Sequence, residues 1–255
     1  MKLFPINRQS PAHFASVPPH AADVVVIGGG IAGVMTAWFL AGAGQKVVLC
    51  EKGRIAGEQS GRNWGWIRKQ GRDPSELPLM IEAQKIWGGL QAAAQADFGF
   101  RTEGVLYIAN AAADMAQYED WLVHAQAHDL DTRLLSRSEL EARLPNAAGW
   151  VGGLLTPSDA QAEPWLAVPA LALAAERRGV SLHEDCAVRR LDIAAGRVAG
   201  VITERGRIKA DRVVLAGGAW SSLLARAEGF SLPQLLVRAT VTATVPLDFP
   251  FQGAA

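Results

Sequence analysis

The stretch from residue 23 to residue 51 constrains the fold more than any other part of the chain. Asp23-Val24-Val25-Val26-Ile27 is a β-branched run that stops at Gly28-Gly29-Gly30, so it reads as a fully buried strand. Residues 31–43 are rich in Ala, Leu and Met, contain no proline, and end between Gly42 and Gly44, which predicts a helix. Lys46-Val47-Val48-Leu49-Cys50-Glu51 is a second buried strand. Strand, glycine turn, helix and strand in so few residues make a βαβ unit, whose crossover is right-handed. Within its turn lies Gly28-x-Gly30-x-x-Gly33. The first glycine permits a tight turn, the second lets backbone approach a pyrophosphate, and the third lets helix and strand pack closely. The helix N-terminus offers open N–H groups and a partial positive charge to phosphates. Glu51, eighteen residues beyond Gly33, can accept hydrogen bonds from a ribose hydroxyl. A dinucleotide site is the direct implication.

The rest of the chain supplies the context. Residues 52–73 carry Gly, Arg and Ser with Trp64 and Trp66, which is loop chemistry. Helices are predicted over 76–96, 115–128, 138–144 and 165–178, and a strand over 104–108. Residues 153–164 read as a loop. A β-meander is expected over 180–193, 198–203 and 207–209, turning at Ala195-Gly196 and Arg205-Gly206. Val213-Val214-Leu215-Ala216 is one more buried strand, running into Gly217-Gly218, with a short helix after Trp220. Residues 235–245 alternate as a half-buried strand would. The glycine fingerprint serves NAD and FAD alike. A meander placed before a late Val-Val-Leu-Ala-Gly-Gly strand is typical of FAD domains.

Composition excludes several classes. Lys plus Arg and Asp plus Glu both number 25, so there is no global pull on nucleic acid or anionic membrane. Cys50 and Cys186 show no metal-like spacing and read as reduced thiols, which suits a reducing compartment. His124 and His128 are four apart on a helix but have no evident third ligand, so they read as a solvated face. Without a signal-peptide core or a long apolar run, the expected localisation is cytoplasmic, with no transmembrane segment.

At this point the sequence resembles the D-amino-acid oxidase type of FAD-dependent oxidoreductases, which includes glycine oxidase, sarcosine oxidase and bacterial D-amino-acid dehydrogenases. Four segments carry the likeness: 24–33 (VVVIGGGIAG), 48–52 (VLCEK), 60–65 (SGRNWG) and 215–221 (LAGGAWS). The resemblance implies an α/β fold: a Rossmann-like FAD-binding domain with a β-meander, plus an interleaved, incomplete α+β substrate domain. The expected division is an arm over 1–20, FAD-binding segments 21–78 and 150–230, and substrate-domain segments 79–149 and 231–255. By the same resemblance Gly28, Gly30 and Gly33 hold the FAD pyrophosphate and Glu51 the adenosine ribose. Lys52 flanks the adenine. Ser60, Arg62, Asn63, Trp64 and Gly65 belong to the stretch that wraps the pyrophosphate and ribityl chain. Val188 offers a backbone contact to the adenine, and Gly217, Gly218 and Trp220 form a second cofactor-contacting turn.

The activity implied is oxidation of the C–N bond of an amino acid or secondary amine, by hydride transfer to flavin N5, giving an imine that hydrolyses. Orientation needs a cation for the substrate carboxylate. Arg68, just after the flavin-contacting loop, matches an arginine with that role in sarcosine-oxidase-like members. Asp159 and Glu163 receive no catalytic role. Expected partners are a small amine or amino-acid substrate and an electron acceptor: oxygen, a quinone or a partner subunit. Family members are longer, so a C-terminally truncated chain is expected. The alternative is a non-catalytic homologue that binds FAD or a partner chain.

Overall fold

The computed structural model describes residues 6–144 and 149–242. Along the chain, β1 (Val24–Ile27) leads into α1 (Ile31–Gly42) and β2 (Val47–Cys50). Then follow β3 (Trp66–Ile67), α2 (Leu77–Ala94), β4 (Val105–Ala109), α3 (Ala112–Ala127), β5 (Arg133–Ser136), α4 (Arg137–Arg143), β6 (Gly152–Thr156) and β7 (Ala160–Gln161). The remainder holds α5 (Pro164–Arg177), β8 (Ser181–His183), β9 (Val188–Ala194), β10 (Arg197–Thr203), β11 (Gly206–Lys209), β12 (Arg212–Leu215) and α6 (Ser221–Ala227). These elements form two compact units. One takes the residues up to Trp64, Ala94–Ala96 and Pro164–Val241; the other takes Gly65–Ala93 and Asp97–Glu163. The chain leaves the first unit after Trp64 and, apart from Ala94–Ala96, returns to it after Glu163.

The first unit is built on a parallel sheet in the order β12-β1-β2-β8. Its two middle strands, β1 and β2, are short aliphatic runs buried on both faces, as a covered parallel sheet requires; β12, which the sequence predicts as a buried strand, lies at the end of the strand order and is only half-buried, with Leu215 38% exposed. Val25, Ile27, Val48 and Cys50 point to one face and share a core with Val201 and Ile208 of the antiparallel layer β11-β10-β9 and with Ala210 just after it. Side-chain alternation leaves Val24, Val26, Val47 and Leu49 for the other face, where α1 and α5 pack together. The second unit has an antiparallel sheet, β4-β6-β5, and a two-stranded ribbon, β3-β7. Leu106, Leu135, Leu140, Leu144 and Leu155 form a core there.

Three sequence expectations are corrected. The stretch 180–193 is not one meander strand. β8 joins the parallel sheet beside β2, and the meander starts at Val188. Between them Asp185 turns to a φ of 48° and residues 184–186 donate to Phe14, Gly53 and Glu51 carbonyls, which takes the backbone off the strand path. Residues 153–164 are not a loop. β6 is the central strand of its sheet and is buried throughout. Its glycines, a turn signal in sequence, are there for close approach: a Cβ on Gly153 would lie 2.6 Å from the Tyr107 carbonyl oxygen. Residues 235–242 form no strand; Leu235 is 88% exposed, and no neighbouring strand is present among the described residues to pair with it. Residues 243–245 of that expectation lie outside the described residues.

Candidate functional site

The glycine turn follows β1 directly. Gly28 takes a φ of 114°, and a Cβ there would stand 2.4 Å from the Ala216 carbonyl oxygen. Only glycine fits. A Cβ on Gly33 would stand 1.9 Å from the Gly28 oxygen, so α1 lies against the turn as tightly as backbone allows. The turn opens onto the N-terminus of α1, where Gly30 is the capping residue and brings no side chain. The Ile31 N–H donates to Ser60 Oγ at 3.0 Å. The N–H groups of Gly30 and Ala32 have no partner among the described residues. Two open donors, a helix N-terminus and a hydroxyl above Gly30 fit a diphosphate.

Glu51 sits at the end of β2, 7% exposed. Oε2 accepts the Gly29 N–H at 2.7 Å and Oε1 accepts the Gly53 N–H at 2.7 Å. Burial pushes its carboxyl up from the usual range, while these two N–H bonds work in the opposite direction. Each oxygen keeps a second lone pair, the complement of a vicinal diol. The acid is fixed against the glycine turn itself, which is where a ribose beside that diphosphate would lie. Lys52 reaches over the Trp220 ring at 3.9 Å and pairs with Glu58 at 2.7 Å. Arg62 also approaches Glu58, at 3.7 Å, and donates to the Gly57 carbonyl. Glu58, which the sequence reading does not single out, thus ties both candidate cations to one loop.

Ser60 lies in a 3-10 turn, Gln59–Gly61, and Asn63 closes that turn by donating to the carbonyls of Gln59 and Ser60. Trp64, next in the chain, is 67% exposed. The second glycine turn, Gly217 and Gly218, adjoins the first: Gly217 Cα is 3.2 Å from the Gly28 Cβ position. Val188 opens β9, two residues past Cys186, whose N–H donates to the Glu51 carbonyl at 2.8 Å. Gly28, Gly30, Gly33, Glu51, Lys52, Ser60, Arg62, Asn63, Trp64, Val188, Gly217, Gly218 and Trp220 all belong to the first unit. Gly65 and Arg68 belong to the second.

Arg68 follows β3. Its guanidinium carbon lies 5.5 Å from the Trp66 ring and 5.6 Å from the Tyr107 ring. It donates to the Gln70 carbonyl and forms no salt bridge among the described residues. Burial lowers its pKa from the usual arginine value, partly offset by Tyr107. A half-buried cation on aromatic faces, without a carboxylate partner among the described residues, has the chemistry to accept an anionic group. The backbone that presents it is held by Asp159, which is fully buried. Oδ1 accepts the Lys69 N–H at 2.9 Å, Oδ2 accepts the Gln70 N–H at 3.0 Å, and Lys69 Nζ approaches Oδ1 at 3.3 Å. Its sequence cue, a lone acid beside Pro157-Ser158, is indistinguishable from a turn residue.

The two cysteines, distant in sequence, share one core as free thiols. Their mutual hydrogen bond and burial push the Cys50 thiol up from the usual range. Among the described residues no group of His, Cys, Asp and Glu has metal-binding geometry, and no helix is long and apolar enough to cross a membrane.

Comparison with known proteins gives the family. The chain is 28% identical over 242 residues to the mitochondrial sarcosine dehydrogenase of Homo sapiens, covering 90% of this chain and 26% of that protein. It is 32% identical over 227 residues to sarcosine oxidase subunit beta of Rhizobium meliloti, covering 84% and 53%. Its fold matches the L-amino acid deaminase of Proteus myxofaciens, solved with anthranilate, at a TM-score of 0.82 and 35% identity, over 88% of this chain and 52% of that one. The chain therefore spans about a quarter of the first relative and about half of the other two. Since residues 23–254 match the family model described as FAD dependent oxidoreductase, the chain belongs to the DAO family of FAD-dependent oxidoreductases, and its cofactor is FAD.

Proposed function

We propose that this chain carries the FAD site and a substrate-carboxylate receptor of an oxidoreductase acting on the C–N bond of an amino acid or secondary amine. The observation that carries the reading is the open glycine turn backed by Glu51: N–H groups of Gly30 and Ala32 without a partner among the described residues, for a diphosphate, and a fixed carboxylate for the adjoining ribose. Ser60 donates its hydroxyl hydrogen to a phosphate oxygen while accepting from Ile31. Gly217 and Gly218, with Lys52 over the Trp220 ring, would hold the cofactor together with Arg62, Asn63 and Trp64 of the same unit. Val188 contributes a backbone contact to the adenine. Bound FAD supplies the hydride acceptor, N5. Arg68 receives the carboxylate, and Trp66 and Tyr107 keep water from that ion pair. The substrates named for its relatives, sarcosine and L-amino acids, both carry a carboxylate, which is the group Arg68 suits.

The test is a flavin titration followed by anaerobic reduction. The purified chain is expected to bind FAD with the yellow absorbance of a flavoprotein, and Gly30→Val to abolish that binding, because the added carbons fill the phosphate cradle. Sarcosine, glycine and a panel of L- and D-amino acids are then added, and reoxidation is followed with oxygen and with artificial acceptors. Arg68→Ala is expected to keep FAD but to lower the second-order reduction rate by about 100-fold, the scale of losing one partner of a buried charge pair. A chain that binds no FAD sinks the whole reading. A chain that binds FAD and is reduced by none of these substrates sinks its catalytic part.

A further inference from the structure

We propose that residues 7–16 of the N-terminal arm wall the adenosine half of the FAD site, and that Glu184 is the residue that positions them there; this rests on the cofactor placement proposed above. Glu184 is 3% exposed and lies between β8 and β9. Its Oε2 accepts the His13 N–H at 2.6 Å and the Phe14 N–H at 3.2 Å, and its Oε1 accepts the Ile55 N–H at 2.8 Å. Its own N–H donates to the Phe14 carbonyl at 2.9 Å. One buried carboxylate therefore joins the arm to the loop that follows β2, the loop that carries Lys52 and Gly53. Such a carboxylate is tolerated out of water because charge-assisted N–H bonds satisfy it.

Other contacts fix the same path. Arg54 Nε donates to the Ser10 carbonyl at 2.6 Å and its Nη1 pairs with Asp185 at 2.6 Å. Arg205 donates to the Ser16 carbonyl at 3.0 Å, and the Phe14 ring is 6% exposed. The arm is thereby led to the ribose acid. A Cβ on Gly53 would stand 3.8 Å from Arg8 Cγ and 3.7 Å from Glu51 Oε1, so Arg8 and the acid flank the same glycine. An adenine extends from the ribose away from the diphosphate. On that side lie Lys52, Gly53, the 185–188 segment and the arm at Arg8, whose exposed guanidinium suits an adenine face or its ribose oxygens.

ADP is the probe, since it carries the adenosine and diphosphate and no flavin. Calorimetric titration compares the full chain, a chain lacking residues 1–16, Glu184→Ala and Arg8→Ala, each checked for folding by circular dichroism. Loss of the wall is expected to weaken ADP by about tenfold in the truncated chain and several-fold in each point variant, with FMN affinity unchanged. A role in stability alone would lower the melting temperature and leave the ADP constant where it was. Saturating ADP is also expected to slow tryptic cleavage after Arg8. A folded truncated chain that binds ADP as tightly as the full chain overturns the wall. If truncation prevents folding, Arg8→Ala decides, because Arg8 is exposed: unchanged ADP affinity together with unprotected cleavage overturns the proposal. A full chain that binds neither ADP nor FAD overturns the cofactor placement, and the wall with it.

Discussion

His183 shows how a single buried side chain couples the first unit to pH. It is fully buried in β8, with Nδ1 3.0 Å from the Ser16 carbonyl oxygen and Nε2 2.8 Å from Ser181 Oγ. A carbonyl only accepts, so the proton sits on Nδ1 and Nε2 accepts from the serine hydroxyl. Burial, first, and the Arg205 charge hold its pKa below the ordinary 6.5, while the bond to Ser16 works against them. The unfolded chain therefore takes up a proton at a pH where the folded ring stays neutral. Stability contributed by the neutral ring is complete above about pH 6.5 and is lost as pH falls through and below it, toward the folded value. The urea midpoint is expected to drop between about pH 7 and pH 5, and His183→Gln, which keeps a donor and an acceptor, is expected to flatten that drop. An unchanged pH slope in the variant would contradict this. Much at this scale was readable in advance. Gly28, Gly33 and Glu51 announce themselves because their roles depend on backbone sterics and local spacing, which sequence encodes directly. Glu184 and Asp159 do not, because what makes each of them a clamp is N–H groups that arrive from other parts of the chain.

Among the elements, β1, α1 and β2 were legible because composition, period and punctuation agree: β-branched runs, a glycine turn, then an Ala-rich helix. β6 was not. Gly152, Gly153 and Pro157 spell a turn, yet β6 is the buried middle of its sheet, since glycine there serves close packing rather than a positive φ. β8 was misplaced because its neighbour in space, β2, is more than a hundred residues away. The turn after β6 also holds the Arg68 segment in place. Thr156 Oγ1 donates to Gln70 Oε1 at 2.7 Å, and Asp159 accepts the N–H groups of Lys69 and Gln70. Both members of the Lys69–Asp159 pair are buried. Asp159→Ala leaves two backbone N–H groups without their acceptor and the buried ammonium without its counter-charge, with only the neutral oxygens of Gln84 and Ser158 to accept from it, which is expected to cost about 3–5 kcal/mol of unfolding free energy. Asp159→Asn keeps one acceptor oxygen and is expected to cost less. Denaturant melts of the three proteins check the order, and equal stabilities would show that the cluster holds nothing in place.

Across the whole chain, the order of segments matters more than any one of them. The first unit is interrupted after Trp64 and, apart from Ala94–Ala96, resumes at Pro164. The intervening chain leaves along β3 and returns along β7, which pair with each other, and the Ala162 N–H donates to the Gly65 carbonyl at 3.0 Å. Departure and return are thus locked side by side, so a long insertion adds little loop entropy to the unit it interrupts. The proposed phosphate cradle, Glu51 and the second glycine turn stay wholly within the first unit. Binding free energy from the adenosine and diphosphate therefore enters that unit's stability. At a hundredfold excess over the dissociation constant it amounts to about 2.7 kcal/mol. Hydrogen exchange with and without ADP is expected to show slower exchange in β1, β2 and β12. Exchange in β4, β5 and β6 is expected to stay as it was, because their amides pair within the other unit. Protection that rose equally in both sets would mean that nucleotide stabilises the chain as one cooperative body, and the assignment of the site to the first unit would lose its energetic content.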